Sequence, residues 1–218
     1  MKLFVLLLVS IICFGATCFG QNELGRDFDE FIALIPQEEA DVISLKYLQI
    51  DEFVAVVLYA LYDEGFKQII LDIENIPEFV ELLKYLEDSG FEVYDYLDSV
   101  NDAIGLPPLD RPKELPVVSS RAKNIVNQCR DEIRGILPKA KIASLHSQKM
   151  ADSLAFQFFA QRLETEELEV IMQNLYANNV YIDSMQTLLD HGMDINDSIV
   201  FYFELFGFRE LPFYKYFS

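Results

Sequence analysis

The sequence predicts an all-α protein built of two tandem repeats of about six short amphipathic helices each, and three observations carry that prediction. First, Asp29-Glu30-Phe31-Ile32-Ala33-Leu34-Ile35-Pro36 returns as Asp131-Glu132-Ile133-Arg134-Gly135-Ile136-Leu137-Pro138, an offset of 102 residues (131 − 29). The offset holds without a gap: Leu61 meets Leu163, Leu86 meets Leu188, Gly90 meets Gly192 and Gly105 meets Gly207. A period this long is not that of a short-repeat solenoid, so each copy must be a set of several elements. Second, apolar residues recur at helical spacing through both copies. Third, no stretch shows the alternation that a half-buried strand requires.

Met1 to Gly20 is set apart from the folded chain. Lys2 precedes the apolar run Leu3 to Phe14, interrupted only by Ser10, and Cys18-Phe19-Gly20 offers small residues for cleavage. This reads as a secretory signal; a membrane anchor would need about twenty continuous apolar residues. The organisation is then a signal at 1–20, a first helical repeat at 21–105, a proline-rich linker at 106–118 and a second repeat with an aromatic tail at 119–218.

In the first copy, Phe28, Phe31, Ile32 and Ile35 form a helical stripe that Pro36 ends, and Ala40, Ile43, Tyr47 and Ile50 continue with the same period. Asp51 is placed to cap a helix over Phe53 to Tyr62, which is apolar on almost every face. Gly65 breaks the pattern before Phe66, Ile69, Ile70 and Ile73. Asn75-Ile76-Pro77-Glu78 reads as a cap, with proline tolerated in the first turn. The helix that follows stops at Gly90, and Val93 to Ile104 supplies the last stripe. After the linker, Ser119 or Ser120 can cap a helix carrying Ile125, Val126, Cys129, Ile133 and Leu137. The second copy then runs through Leu154 to Leu163, Leu168 to Leu175, Ile182 to Leu189 and Ile195 to Phe206. Its aromatic tail occupies the place of the first copy's strap and is expected to lie across the opposite half.

The formal charge of −19 becomes −20 without Lys2, which argues against nucleic acid as a partner. Between Asp110 and Lys149, however, nine basic residues face four acidic ones. That segment either docks on the acidic remainder of the molecule or meets anionic lipid headgroups. A single cysteine, Cys129, remains after the signal, so no internal disulfide is available.

Catalytic and metal chemistry find little support. His146 and His191 are the only histidines and occupy non-equivalent places, and His191 at a helix end suits the dipole there. Asp190, Asp194, Asn196 and Asp197 lack the spacing of a calcium loop and fit helix capping better. There is no phosphate loop and no nucleophile elbow, and Cys129 has no activating context. Neither an enzyme nor a cofactor is expected. Asn196-Asp197-Ser198 is a glycosylation sequon, which makes Asn196 a candidate acceptor.

Asp29 to Pro36, Phe79-Val80-Glu81-Leu82-Leu83-Lys84-Tyr85-Leu86-Glu87 with Gly90 after it, and Asn101-Asp102-Ala103-Ile104-Gly105-Leu106-Pro107-Pro108-Leu109 closely resemble the insect allergen repeat family. That family includes the cockroach major allergen, mosquito midgut microvillar proteins and the nitrile-specifier proteins of butterfly larvae. Two copies after a signal look most like the mosquito members. The second copy departs from the pattern, with Phe208-Arg209-Glu210-Leu211-Pro212 for the strap and Asn179 in place of Pro77.

The resemblance implies one globular shell of helices around an apolar cavity that holds fatty acids or phospholipids, in a protein secreted to the midgut lumen or microvillar surface and able to act on membranes. A nitrile-specifier role and a structural gut-surface coat are the alternatives it leaves. The helices Phe53 to Tyr62 and Leu154 to Leu163 suit such a wall because they are apolar on more than one face. Candidate lining residues are the equivalent pairs Val57 and Phe159, Leu61 and Leu163, Ile70 and Met172, Leu83 and Met185, and Leu97 and Ile199.

Overall fold

The computed structural model describes residues 22–91, 93 and 122–217, and among them every regular element is helical. In chain order these are α1 (Glu23–Ile32), α2 (Gln37–Tyr47), α3 (Asp51–Tyr62), α4 (Glu64–Glu74) and α5 (Pro77–Asp88). The second copy supplies α6 (Ala122–Ile136), α7 (Lys139–Asp152), α8 (Leu154–Leu163), α9 (Glu166–Leu175), α10 (Asn179–Asp190) and α11 (Ile195–Leu205), then a 3₁₀ turn at Pro212–Phe217. The signal, the linker, Leu97 and the helix expected over Val93 to Ile104 lie outside the described residues, Val93 excepted.

The helices keep the offset of the sequence. α2 and α7, α4 and α9, and α5 and α10 begin 102 residues apart. Gly90, Gly192 and Gly207 all adopt positive φ, near 85–88°, the left-handed conformation in which a residue without Cβ ends a helix at little cost.

Contacts between the halves come in exchanged pairs. α5 packs on α9 and, with roles reversed, α10 packs on α4. α2 packs on α6 and α7 on α1; α3 packs on α6 and α8 on α1. The halves therefore meet as a symmetric dimer does, each using the same surface. Two seams result, one where α1 and α6 meet α7, α8, α2 and α3, the other where α4 and α5 meet α10 and α9.

At the first seam lies a cluster of aromatic rings. Phe28 touches Phe206 at 4.3 Å, Phe159 at 5.4 Å, Phe91 at 5.9 Å and Phe156 at 6.2 Å between centroids. Phe31 stacks on Phe156 at 5.6 Å, and Phe156 stacks on Phe208 at the same spacing. Offset and edge-on rings of this kind add to the burial of their apolar area.

Several local expectations are corrected. Asp51 is inside the first turn of α3, where its charge suits the dipole, and Ile50 holds the cap position. The break before α4 is made by Asp63, whose Oδ1 accepts from the Phe66 amide at 3.1 Å. Gly65 lies within α4, and a Cβ there would come within 2.8 Å of that carboxylate, so the glycine makes room for the cap. Asn75 closes α4 by donating to the Leu71 carbonyl at 2.7 Å, and α5 starts from Ile76 with Pro77 in its first turn. The tail packs on α9 and α11 of its own half. Burial of Phe213 against Phe203 and the stacking of Tyr216 on Tyr176 hold it there, in place of the opposite half that the sequence suggested.

Candidate functional site

The apolar side chains fall into a buried, closely packed core and a set that packs against it while only partly covered. Val57, Leu61, Phe159, Leu163 and Met172 belong to the packed core, continuous with the aromatic cluster. Ile70 and Met185 are half-buried against it, and Leu83 is buried on α5 outside that cluster. Ile199 is half-buried on α11, and Leu97 lies outside the described residues. The fold brings two of the equivalent pairs to one seam: α4 with Ile70 lies on α10 with Met185, and α5 with Leu83 lies on α9 with Met172.

α11 shows the second environment most clearly. Its sequence Ile195-Asn196-Asp197-Ser198-Ile199-Val200-Phe201-Tyr202-Phe203-Glu204-Leu205 is apolar around most of its circumference, yet only Phe201 and Leu205 are buried. Ile69 and Ile70 on α4, Phe79 and Leu82 on α5, and Phe203 on α11 are likewise half-buried against the core. Sequence reading missed Ile69, Phe79, Leu82 and Phe203. They sit beside, or one turn from, residues that it chose, Ile70, Leu83 and Ile199, so the i, i+4 neighbours of those residues carried the signal. The expected two-faced burial holds for α3, whereas α8 leaves Leu154 and Phe158 on the surface.

The charged groups buried in this interior are paired. Arg130 is fully buried and pairs with Asp197, while its second guanidinium nitrogen donates to Asn127 at 3.2 Å. Arg134 donates to Asp197 at 3.1 Å and Glu204 at 2.8 Å, and lies over the Phe201 ring. Burial alone would lower the Arg134 pKa, but Asp197 and Glu204 outweigh it and raise it. Lys149 meets Asp27 and Glu30, both at 2.7 Å. Three cations of the basic segment are thus turned onto acidic groups of the same molecule, in keeping with the docking alternative; Lys139 and Lys141 are exposed, and Arg111, Lys113 and Arg121 lie outside the described residues.

The residues considered for chemistry have structural partners. His146 sets Nδ1 2.7 Å from the Phe206 carbonyl and its ring edge-on to Phe156 and Phe208. His191 closes α10 with Nδ1 2.7 Å from the Thr187 carbonyl and stacks on Tyr59 at 4.1 Å. Asp194 caps α11 by accepting from the Asp197 amide at 3.0 Å, as capping predicted. Asn196, the sequon asparagine, accepts from the Tyr176 hydroxyl at 2.6 Å in the first turn of that helix.

Cys129 is buried, and removal from water pushes its thiol up to about 12. The folded protein is therefore expected to resist alkylation by iodoacetamide at neutral pH and to label fully in denaturant; rapid labelling of the native state would refute this burial. Among the described residues no group of histidine, cysteine or acidic side chains could hold a metal ion, and no helix is long and apolar enough to cross a membrane.

These features define a class: an all-helical protein whose two related halves close on each other around an apolar interior. The chain belongs to the insect allergen related repeat, nitrile-specifier detoxification family, whose profile matches residues 23–199. It is similar to Protein G12 of Anopheles gambiae, with 26% identity over 188 residues that span 85% of this chain and 88% of the relative.

Proposed function

We propose that this protein is a secreted, non-catalytic carrier that binds fatty acids or phospholipids between its two halves, in the midgut lumen or at the microvillar surface. The observation that supports this best is that apolar side chains of α4, α5, α10 and α11 are only partly covered where they pack against the core. Acyl chains laid along Ile69, Ile70, Phe79, Leu82, Met185, Ile199 and Phe203 would gain about 0.8 kcal/mol per buried methylene without any directional bond. The pairing of the buried charges Arg130, Asp27 and Lys149 suits the same reading, since an unpaired ion facing an acyl chain would be costly. Delivery of the bound lipid to membranes, or their disruption, is the function such a carrier would serve. A second reading, a nitrile-specifier role in detoxification, is favoured by the family's own description; it requires a partner hydrolase and a plant diet.

Mass spectrometry of an organic extract of the natively purified protein tests the carrier reading. Stoichiometric acyl lipid is expected, and a double Ile70→Ser, Met185→Ser variant should retain several-fold less while keeping its helicity. Folded protein that yields no lipid would favour a structural coat of the gut surface instead.

A further inference from the structure

The polar bonds across the two seams differ in chemistry, and those of the first seam stand beside its aromatic cluster. At the first, Lys149 Nζ on α7 lies 2.7 Å from Asp27 and 2.7 Å from Glu30 on α1, and Ser153 donates to the other Asp27 oxygen at 2.5 Å. The matching contact, 102 residues away in each chain position, is Tyr47 on α2 donating to Glu132 on α6 at 2.8 Å, with Lys46 joining the same oxygen at 2.5 Å. Glu30 is equivalent to Glu132 and Lys149 to Tyr47, so the duplication has placed one carboxylate clamp at each end of this seam.

The second seam is joined differently. The Tyr85 hydroxyl donates to the Arg162 carbonyl at 2.6 Å and lies 2.5 Å from Thr165 Oγ1, while Arg162 Nε donates to Ser89 at 3.3 Å. The Arg162 guanidinium also covers the Tyr85 ring at 3.9 Å. None of these bonds depends on a carboxylate; among the bonds between described residues of this seam, Asn178 to Glu78 at 3.2 Å does.

We propose that the two carboxylate clamps form an acid-released latch, so that protonation of Asp27, Glu30 and Glu132 parts α1 and α6 from α7 and α2 while the α4–α10 and α5–α9 seam remains closed as a hinge. The opening stands on geometry alone; that it lets lipid leave rests on the carrier function proposed above.

The surroundings of each clamp allow this. Asp27 is buried and faces Lys149 from α7 and Ser153 at the start of α8, with Glu30 on its own helix. His146 of α7 is turned to the Phe206 carbonyl, and Arg162 of α8 is held by Ser89 and Glu167. Glu132 faces Lys46 and Tyr47 from α2, with Asp131, Cys129 and Arg130 on its own helix; Asp131 answers Arg134 at 2.5 Å, and Arg130 answers Asp197. Asp51 and Glu52 lie in the first turn of α3, which also packs on α6. The Arg130 and Arg134 pairs join α6 to α11 within one half and do not bridge the seam.

Hydrogen bonds from Lys46 and then Tyr47 hold the Glu132 carboxyl below its usual range. A depressed carboxyl contributes stability above its unfolded pKa and loses it as pH falls through the folded value, so this clamp releases on the acid side. For Lys149, burial lowers the pKa, but Asp27 and Glu30 more than offset it and raise it. With those two partners ionised, its contribution is complete below the unfolded lysine value and is lost as pH rises through the folded one, so the lysine itself does not release the clamp in acid.

Hydrogen–deuterium exchange on the full-length protein, at neutral pH and at about pH 3, below the ordinary carboxylate range, tests the latch. After correction for intrinsic exchange, amides of α1, α2, α6 and α7 are expected to exchange about tenfold faster in acid or more, and those of α4, α5, α9 and α10 to change little. At neutral pH, Glu132→Gln should loosen α2 and α6 alone, and Asp27→Asn with Glu30→Gln should loosen α1 and α7. Equal acceleration in all helices, no acceleration in any, or amide variants that exchange like the parent would each overturn the proposal. A parallel measurement with a fluorescent fatty acid separates the two claims: selective opening without any bound fatty acid sinks the carrier and leaves the latch, whereas fatty acid binding without selective opening does the reverse.

Discussion

Replacing Phe28 by alanine is expected to lower the unfolding free energy by about 3–5 kcal/mol, the usual cost of emptying a buried phenylalanine site that cannot collapse. The ring is 1% exposed and contacts Phe91, Phe156, Phe159 and Phe206, which come from α8 and from segments following α5 and α11. No single neighbour can fill the space. Phe158→Ala is the matched control: that side chain is 50% exposed, so its loss should cost less than about 0.5 kcal/mol. Urea unfolding followed by circular dichroism decides the matter, and similar midpoints for the two variants would show that the cluster does not bear the stability assigned to it.

Gly207→Ala is the second large effect expected. Gly207 has φ +85°, and a Cβ there would stand 2.7 Å from His146 Cβ and 2.9 Å from its Cγ and Nδ1. The left-handed conformation alone costs an alanine roughly 1–2 kcal/mol. Displacing His146 also breaks its bond to the Phe206 carbonyl, bringing the total to about 3 kcal/mol. Gly90 separates the two contributions. It has the same conformation, φ +87°, but its nearest neighbour would be Leu24 Cδ2 at 3.7 Å, ordinary contact distance. Gly90→Ala should therefore show the conformational cost only. In a His146→Ala background the contacts to Cγ and Nδ1 and the bond to the Phe206 carbonyl are gone but the Cβ contact remains, so the Gly207→Ala penalty should fall part of the way to that level; a penalty that stays the same would place the strain elsewhere.

How much of this was legible in the sequence depends on the length scale. The helices were legible because apolar spacing reports helical phase directly, and the duplication doubled each observation. α8 was placed to the residue. Caps were less legible: Ile50-Asp51 and Asn75-Ile76 each offer a polar candidate within one residue of the boundary, and only the backbone shows which side of it the residue falls. The tail was misplaced because its aromatic residues specify burial without specifying against what. Among the candidate lining residues, phase put those described on the core side of their helices, yet Val57 and Phe159 lie in the buried core while Ile70 and Met185 are only partly covered. That distinction depends on what packs above each side chain, which no local pattern contains. Arg130 was counted only as part of a basic segment; its alignment with Phe28 at the repeat offset was the available sign that it points inward.

That alignment has a consequence for how such a molecule can change. A contact set closed under exchange of its halves is what two identical subunits possess before their genes are joined, and while they remain separate any substitution appears at both ends of the assembly at once. Fusion removes the coupling. One end here keeps a phenylalanine among rings, and the other carries an arginine answered by Asp197. A covalent pair can thus diversify one pole at a time, with the unaltered pole preserving the fold.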